Sequence, residues 1–97
     1  MKKGYWVVVY RSISDESALK AYGALAVPAV ESSGGRFLTR STSQIWAYEA
    51  GLKQRTVLVE FDSYEMALAA HESEAYQKAL QALASGAVRD FRIVEGA

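Results

Sequence analysis

Residues Arg55 to Tyr76 constrain the rest of the chain more than any other stretch. Thr56-Val57-Leu58-Val59-Glu60-Phe61 is a run of β-formers, Asp62-Ser63-Tyr64-Glu65 follows, and an alanine-rich stretch comes next. β-Branched and aromatic side chains suit a pleated, half-buried strand, whereas alanine favours helix. The segment therefore reads as a strand turning directly into a helix that packs back over it. Asp62 is expected as the helix N-cap, with Glu65 three positions on in a variant of the capping box. Tyr64, Ala67/Leu68 and His71 fall along one helical stripe. Ser73-Glu74 has the form of a fresh cap and first turn, so a break is expected near Glu72. A second helical piece then runs from Glu74 to Ala84, and Ser85-Gly86 stops it.

The other elements can be placed as partners for this unit. Tyr5 to Arg11 is a first strand with Tyr5, Val7 and Val9 on one face and Trp6, Val8 and Tyr10 on the other. An antiparallel strand with one wet face alternates apolar with polar. This one does not, so both of its faces are expected to be covered. Ser14 is the expected cap of the next helix, with Asp15 and Glu16 favoured by the helix dipole in its first turn. Leu19, Tyr22, Ala26, Ala29/Val30 and Ser33 form its apolar stripe. Pro28 lies inside that helix, where proline removes a backbone hydrogen bond at a cost of about 3 kcal/mol, so a kink or break is expected near Ala24–Val27. Ser32-Ser33-Gly34-Gly35 ends it. Arg36 to Ser41 is a second strand, interrupted over Ser41–Gln44 and continued over Ile45 to Glu49; Gly51 with Lys53 marks a hairpin into the Thr56 strand. Val88 to Glu95 is the last strand, with Phe91 and Ile93 on one face and Arg92 and Val94 on the other.

The order β-α-β-β-α-β is the ferredoxin-like split arrangement, an α+β fold whose helices cover one face of an antiparallel sheet. Ninety-seven residues make one domain, 1–97. With apolar side chains on both faces of the first strand, a homodimer packing bare face to bare face is expected, and Trp46 and Tyr48 would add to the contact. A hydrophobic fraction of 51% excludes a disordered chain. Eleven basic and eleven acidic side chains cancel, which gives nucleic-acid binding little electrostatic support. No apolar stretch nears the roughly 20 residues of a membrane-spanning helix, and no signal-peptide pattern is present, so a cytoplasmic location is expected. The absence of cysteine removes disulfides, thiolate chemistry and cysteine-ligated metal.

Five landmarks carry a family resemblance. They are Gly4-Tyr5-Trp6, Gly34-Gly35-Arg36-Phe37-Leu38, Glu60-Phe61-x-Ser63-Tyr64-Glu65-x-Ala67-Leu68, Ser73-x-x-Tyr76-Gln77 and Ile93-Val94-Glu95-Gly96. Together they resemble the domain of unknown function 1330 family of the dimeric α+β barrel superfamily, over nearly the whole chain. The resemblance implies a cavity between sheet and helices in each protomer. Proteins of that superfamily include cofactor-free monooxygenases acting on aromatic polyketides, muconolactone isomerases and haem enzymes resembling chlorite dismutase. The chain departs from the family at His71, where an aromatic is frequent, and at Pro28.

Candidate chemistry is sparse. His71 is the only histidine, and so the only side chain whose ordinary titration lies near neutral pH. It reads either as a general acid/base or as an interior, helix-terminal histidine bonded to a carbonyl. Strand parity could place Arg36 and Arg40 on one face with Glu60, where arginine would hold a carboxylate bidentately or close an ion pair within the sheet. Tyr22 and Tyr64 lie on helix stripes facing the sheet and are candidate walls for a flat, apolar ligand. One histidine without cysteine makes a poor metal centre, so no metal and no cofactor is expected. No glycine-rich phosphate loop opens a helix, and no serine sits in a nucleophile elbow. Two readings stand. In one, the protein binds a small, partly aromatic or acidic molecule, as a cofactor-independent monooxygenase or isomerase would, with His71 as acid/base, Arg40 and Glu60 orienting a polar group, and Tyr22 and Tyr64 as walls. In the other, it is a non-catalytic binding or structural dimer whose cavity its own side chains fill.

Overall fold

The Trp6-Val7-Val8-Val9-Tyr10 run lies at the centre of the sheet. The computed structural model describes residues 1–40 and 44–97. Its elements in chain order are β1 (Gly4–Ile13), α1 (Glu16–Ser32), β2 (Arg36–Thr39), β3 (Thr56–Phe61), α2 (Tyr64–Glu72), α3 (Glu74–Leu83) and β4 (Ala87–Glu95). The four strands make one antiparallel sheet in the order β2-β3-β1-β4. This is the ferredoxin-like α+β arrangement, and the break between α2 and α3 falls at Ser73, which caps α3 by accepting from the Tyr76 N–H.

Trp6, Val8 and Tyr10 of β1 and Val57, Val59 and Phe61 of β3 are buried beneath the helices. Tyr5, Val7, Val9, Leu58 and Glu60, on the opposite face, are half-buried. The side-chain period of two thus divides the apolar first strand into a core face and a bare face. α1 packs against α3, and α2 packs against the sheet. Trp6 ties the layers together: its indole N–H donates to the Ala67 carbonyl of α2 at 2.9 Å. Its ring meets those of Phe61, Tyr76 and Phe91 at 5.2, 4.8 and 5.1 Å.

Several local expectations are corrected. Asp15, not Ser14, caps α1, its carboxylate accepting from the Ala18 N–H at 3.0 Å. The backbone N–H groups of both Ser14 and Asp15 donate to the Gly86 carbonyl. That tether delays the helix by one residue and turns the Ser14 hydroxyl toward Gly86 and Ser85. The cap of α2 is Ser63 rather than Asp62. The Ser63 hydroxyl is buried and accepts from the Met66 N–H at 3.1 Å, while Asp62 is drawn outward to Lys3 and Arg36 at 3.2 and 3.1 Å. α1 runs through Pro28 without the expected break. Ala24, whose carbonyl loses its helical donor, and Pro28 both lie on the exposed side, where water serves the carbonyl, and buried Ala26, Ala29 and Val30 hold the helix down around them. On α2 the buried positions are Ala67 and Ala70; Leu68 is exposed and Tyr64 half-buried, because small side chains let the helix approach the Trp6 indole.

The largest difference concerns residues 45–49. Ile45 to Glu49 form no strand, and Trp46 and Tyr48 are 72% and 78% exposed. The Gly51 turn exists, its N–H donating to the Tyr48 carbonyl at 2.9 Å with Glu49 at φ 54°. It sits within the long connection from β2 to β3 rather than at the tip of a tight hairpin. The register of β2 slips between Phe37 and Thr39, which bends this short strand and ends its pairing early. The expected strand end at Ser41, and most of the interruption over Ser41–Gln44, lie outside the described residues.

The two caps give a direct test. Ser63→Ala should lower stability by about 1 kcal/mol in urea denaturation, and Asp62→Ala should cost less. Equal losses, or the reverse order, would restore Asp62 as the cap.

Candidate functional site

A row of side chains crosses the covered face at one end of the sheet. Arg89 lies directly opposite Tyr10 across the β1–β4 ladder, and the Tyr10 N–H donates to the Arg55 carbonyl on the other side. Arg55 shares its parity with Val57, Val59 and Phe61, and Arg89 shares its parity with Phe91 and Ile93, so both arginines point to the core face. Arg40 joins them through the β2 slip. Arg36 pairs with Glu60 and Phe37 with Val59, but Thr39 pairs with Leu58, leaving Leu38 as the extra residue. One extra residue reverses facing for everything after it. Arg36 stays on the bare face and Arg40 turns to the covered one.

These arginines lie at one end of a cavity of about 70 Å3 between α1 and the sheet. Leu19, Tyr22, Ala26 and Val30 of α1 form one wall, while Val8, Val57, Val59 and Phe91 form the sheet side. Arg40, Arg55 and Arg89 all line it, and among the described residues no acidic side chain does. Each guanidinium rests on an aromatic ring: Arg40 on Phe37 at 4.8 Å, Arg55 on Tyr10 at 5.2 Å, and Arg89 on Tyr10 and Tyr22 at 5.6 and 4.9 Å. Arg89 donates to the Tyr22 hydroxyl at 3.0 Å, and that hydroxyl lies 2.7 Å from the hydroxyl of fully buried Tyr76.

Tyr76 and Tyr10 are held in their neutral form. Burial raises the Tyr76 pKa far above the ordinary phenol value of 10.0, and the neighbouring Tyr22 adds to the rise. Burial also raises that of Tyr10, against the opposing pull of Arg89. For Arg89, burial works against the charge, but the surrounding tyrosines outweigh it and the guanidinium is held more firmly protonated. At neutral pH this end of the cavity offers fixed positive charge and hydroxyl groups. It can hold and polarise an anion.

The residues singled out in the sequence divide between sites. Tyr22 and Arg40 line the cavity. Glu60 is on the bare face, accepting from the Tyr5 hydroxyl at 3.1 Å and from Arg36 at 2.8 Å, so the expected grouping of Arg40 with Arg36 and Glu60 does not form. The β2 slip is the reason. Glu60 and Asp62 both titrate below the ordinary carboxylate range; the hydrogen bond from Arg36 is the main cause for Glu60, and that from Lys3 for Asp62. Tyr64 opens α2 and is not part of the lining. Neither is His71, which packs edge-on against Trp6 and Phe91 at ring distances of 6.1 and 5.2 Å, with Nδ1 3.3 Å from Glu72. Arg55 and Arg89 were not singled out. The signal for them was present as parity: each arginine sits two residues before an inward apolar position of its own strand. Among the described residues, no group of three or more acidic or histidine side chains is arranged to hold a metal ion. No helix among them is long and apolar enough to cross a membrane.

Comparison with known proteins adds a family and a fold. A family described as a domain of unknown function, DUF1330, matches residues 3–97. No curated protein matches the chain by sequence. Among solved structures, it is similar to a protein of unknown function from Rhodopseudomonas palustris at 16% identity, with a TM-score of 0.74 over 99% of this chain and 83% of that one. It is also similar to a candidate antibiotic biosynthesis monooxygenase from Nitrosomonas europaea, at 18% identity and a TM-score of 0.58 over 99% and 92% of the two chains. A further candidate antibiotic biosynthesis monooxygenase, from Caulobacter crescentus, is 9% identical with a TM-score of 0.62 over 99% and 91%. At these identities the likeness is one of fold.

The neutral tyrosines make stability sensitive to alkali. Because Tyr10 and Tyr76 titrate higher in the folded chain than the ordinary 10.0, their contribution is intact below that value and is lost as pH rises through it, where the unfolded chain ionises first. Urea melts near pH 8 and near pH 11 should show this loss, and Tyr76→Phe should lose less between the two. An equal loss in the variant would remove Tyr76 as a cause.

Proposed function

The chain belongs to the DUF1330 family, and we propose that it is a small-molecule pocket protein working as a homodimer, each protomer binding a small, partly aromatic or acidic molecule between α1 and the sheet. The observation that carries this reading is one cavity lined by both apolar or aromatic walls and three arginines. Small-molecule sites typically combine apolar walls with a few polar groups that fix orientation. The homodimer rests on the bare face, where Tyr5, Val7, Val9 and Leu58 are only half-buried and Val94 is 43% exposed. A second copy packed on that face would bury these apolar side chains, with the Arg36–Glu60 and Arg92–Asp90 ion pairs around them.

Fixed positive charge beside a bound molecule would stabilise an enolate or similar oxyanion, the requirement of a cofactor-independent monooxygenase or isomerase. The monooxygenase names of two structural neighbours are compatible with that chemistry. Within it, Tyr22 is a wall and Arg40 orients a polar group, with Arg55 and Arg89 beside it. His71, Glu60 and Tyr64 stand outside the lining, and binding does not draw on them.

A second reading is favoured by the size of the cavity. About 70 Å3 is well below the roughly 300 Å3 of a drug-sized site, which suits a non-catalytic dimeric module with a nearly filled core. Native mass spectrometry of the protein taken from its own host distinguishes the two. The pocket reading expects a dimer with one small molecule per chain, lost in Ala26→Val, which adds two methyl groups to the buried wall. A monomer at micromolar concentration would overturn the dimer. An empty dimer that binds none of a panel of small acids and aromatics would leave the non-catalytic module.

A further inference from the structure

Two positive charges are brought to one buried ring. The guanidiniums of Arg55 and Arg89 both lie within 6 Å of the Tyr10 centroid, at 5.2 and 5.6 Å, and Tyr10 is 5% exposed. Neither arginine forms an ion pair among the described residues. The acids near other arginines are engaged elsewhere: Asp90 with Arg11 and Arg92, and Glu60 and Asp62 with Arg36, all through carboxylates of the bare face or its rim. Arg89 has the Tyr22 hydroxyl as acceptor. Arg55 has less: its Nε is buried without a hydrogen-bond partner. A buried donor without an acceptor, on a side chain that is itself charged, is costly, and native structures seldom retain one without a reason. Here the donor belongs to a residue lining an arginine-rich cavity that no acid among the described residues enters.

We propose that the cavity is a site for a small organic carboxylate, its charged head held at the Arg55–Arg89 end with Arg55 as the principal donor and its short hydrocarbon body against α1. This deepens the pocket reading and rests on it. The guanidinium fork matches the two oxygens of a carboxylate, and the Tyr10 and Tyr22 rings beneath the guanidiniums hold their planes. Further along α1 and the sheet, away from Arg89, the lining is hydrocarbon, formed by Ala26, Val30 and Val59. A purely inorganic oxyanion would leave that part empty. A volume of about 70 Å3 restricts the enclosed body to a few carbon atoms. Arg40 is exposed and also lines the cavity.

The test is NMR titration of the folded protein with butyrate, butyramide, indole and inorganic phosphate. Butyrate is expected to shift the amides of Gly23, Val27 and Val57 saturably, with butyramide at least tenfold weaker. Arg55→Met should weaken butyrate at least tenfold and melt no lower than the unliganded wild type, because it removes a buried Nε donor that has no partner. Lys20→Met, on the exposed side of α1, should bind as the wild type does. Arg55→Lys, which keeps a charge but removes the Nε donor, carries the same test should the methionine variant fail to fold. Butyramide or indole filling the cavity as tightly as butyrate would overturn the carboxylate inference while leaving a pocket protein. Phosphate binding as tightly as butyrate would overturn it as well, since the hydrocarbon walls would then contribute nothing. No shift with any of the four would overturn both the inference and the pocket reading beneath it.

Discussion

The burial of Trp6 is the contact on which the rest of the molecule depends. This side chain, 2% exposed on the central strand, touches aromatic rings from β3, α3 and β4 and donates its N–H to the backbone of α2. A large apolar ring with one polar atom can be buried at low cost only if that atom finds a partner. The Ala67 carbonyl is that partner, and it fixes where α2 sits on the sheet. The alanines at 67 and 70 follow from the same contact, since a bulkier side chain would push the helix off the indole. Trp6 also lines the cavity, so the helix-docking residue and the candidate site share a wall.

The opposite end of the same strand is organised by charge. Tyr10 receives Arg55 from one neighbouring strand and Arg89 from the other, and an extra residue in β2 turns Arg40 toward the same cavity. A core free to maximise stability would place hydrocarbon at these inward positions, as it does two residues further along each strand at Val57 and Phe91. Local rules that fail together at one place mark a candidate site, and here the Arg55 Nε is left without a partner from the protein itself. The bare face is different: its arginines all have carboxylates.

Much of the fold was legible because it rests on local periodicities. The Thr56–Phe61 strand, the break before Glu74, the glycine stop after α1 and the order of elements all follow from alternation, caps and turn residues, and they appear as expected. The caps missed by one residue, Ser14 for Asp15 and Asp62 for Ser63, have one kind of cause. Both depend on which neighbouring residue is captured by a distant partner, Gly86 in one case and Lys3 with Arg36 in the other. Pro28 was read by its intrinsic cost, which exposure of the Ala24–Pro28 side reduces.

For the candidate site the division is sharper. The sequence by itself determined that a two-faced apolar strand, two helical units and three further strands would make an α+β sheet with one covered face, because hydrophobic period and turn chemistry are properties of short segments. It also placed Tyr22 on the inward stripe of α1. Only the tertiary structure decided that Arg40 would part from Arg36 and Glu60 and meet Arg55 and Arg89 instead. That outcome depends on a one-residue slip in the pairing of β2 with β3 and on which strands flank Tyr10. Register between strands far apart in the chain is set by their mutual packing, and no single segment contains it.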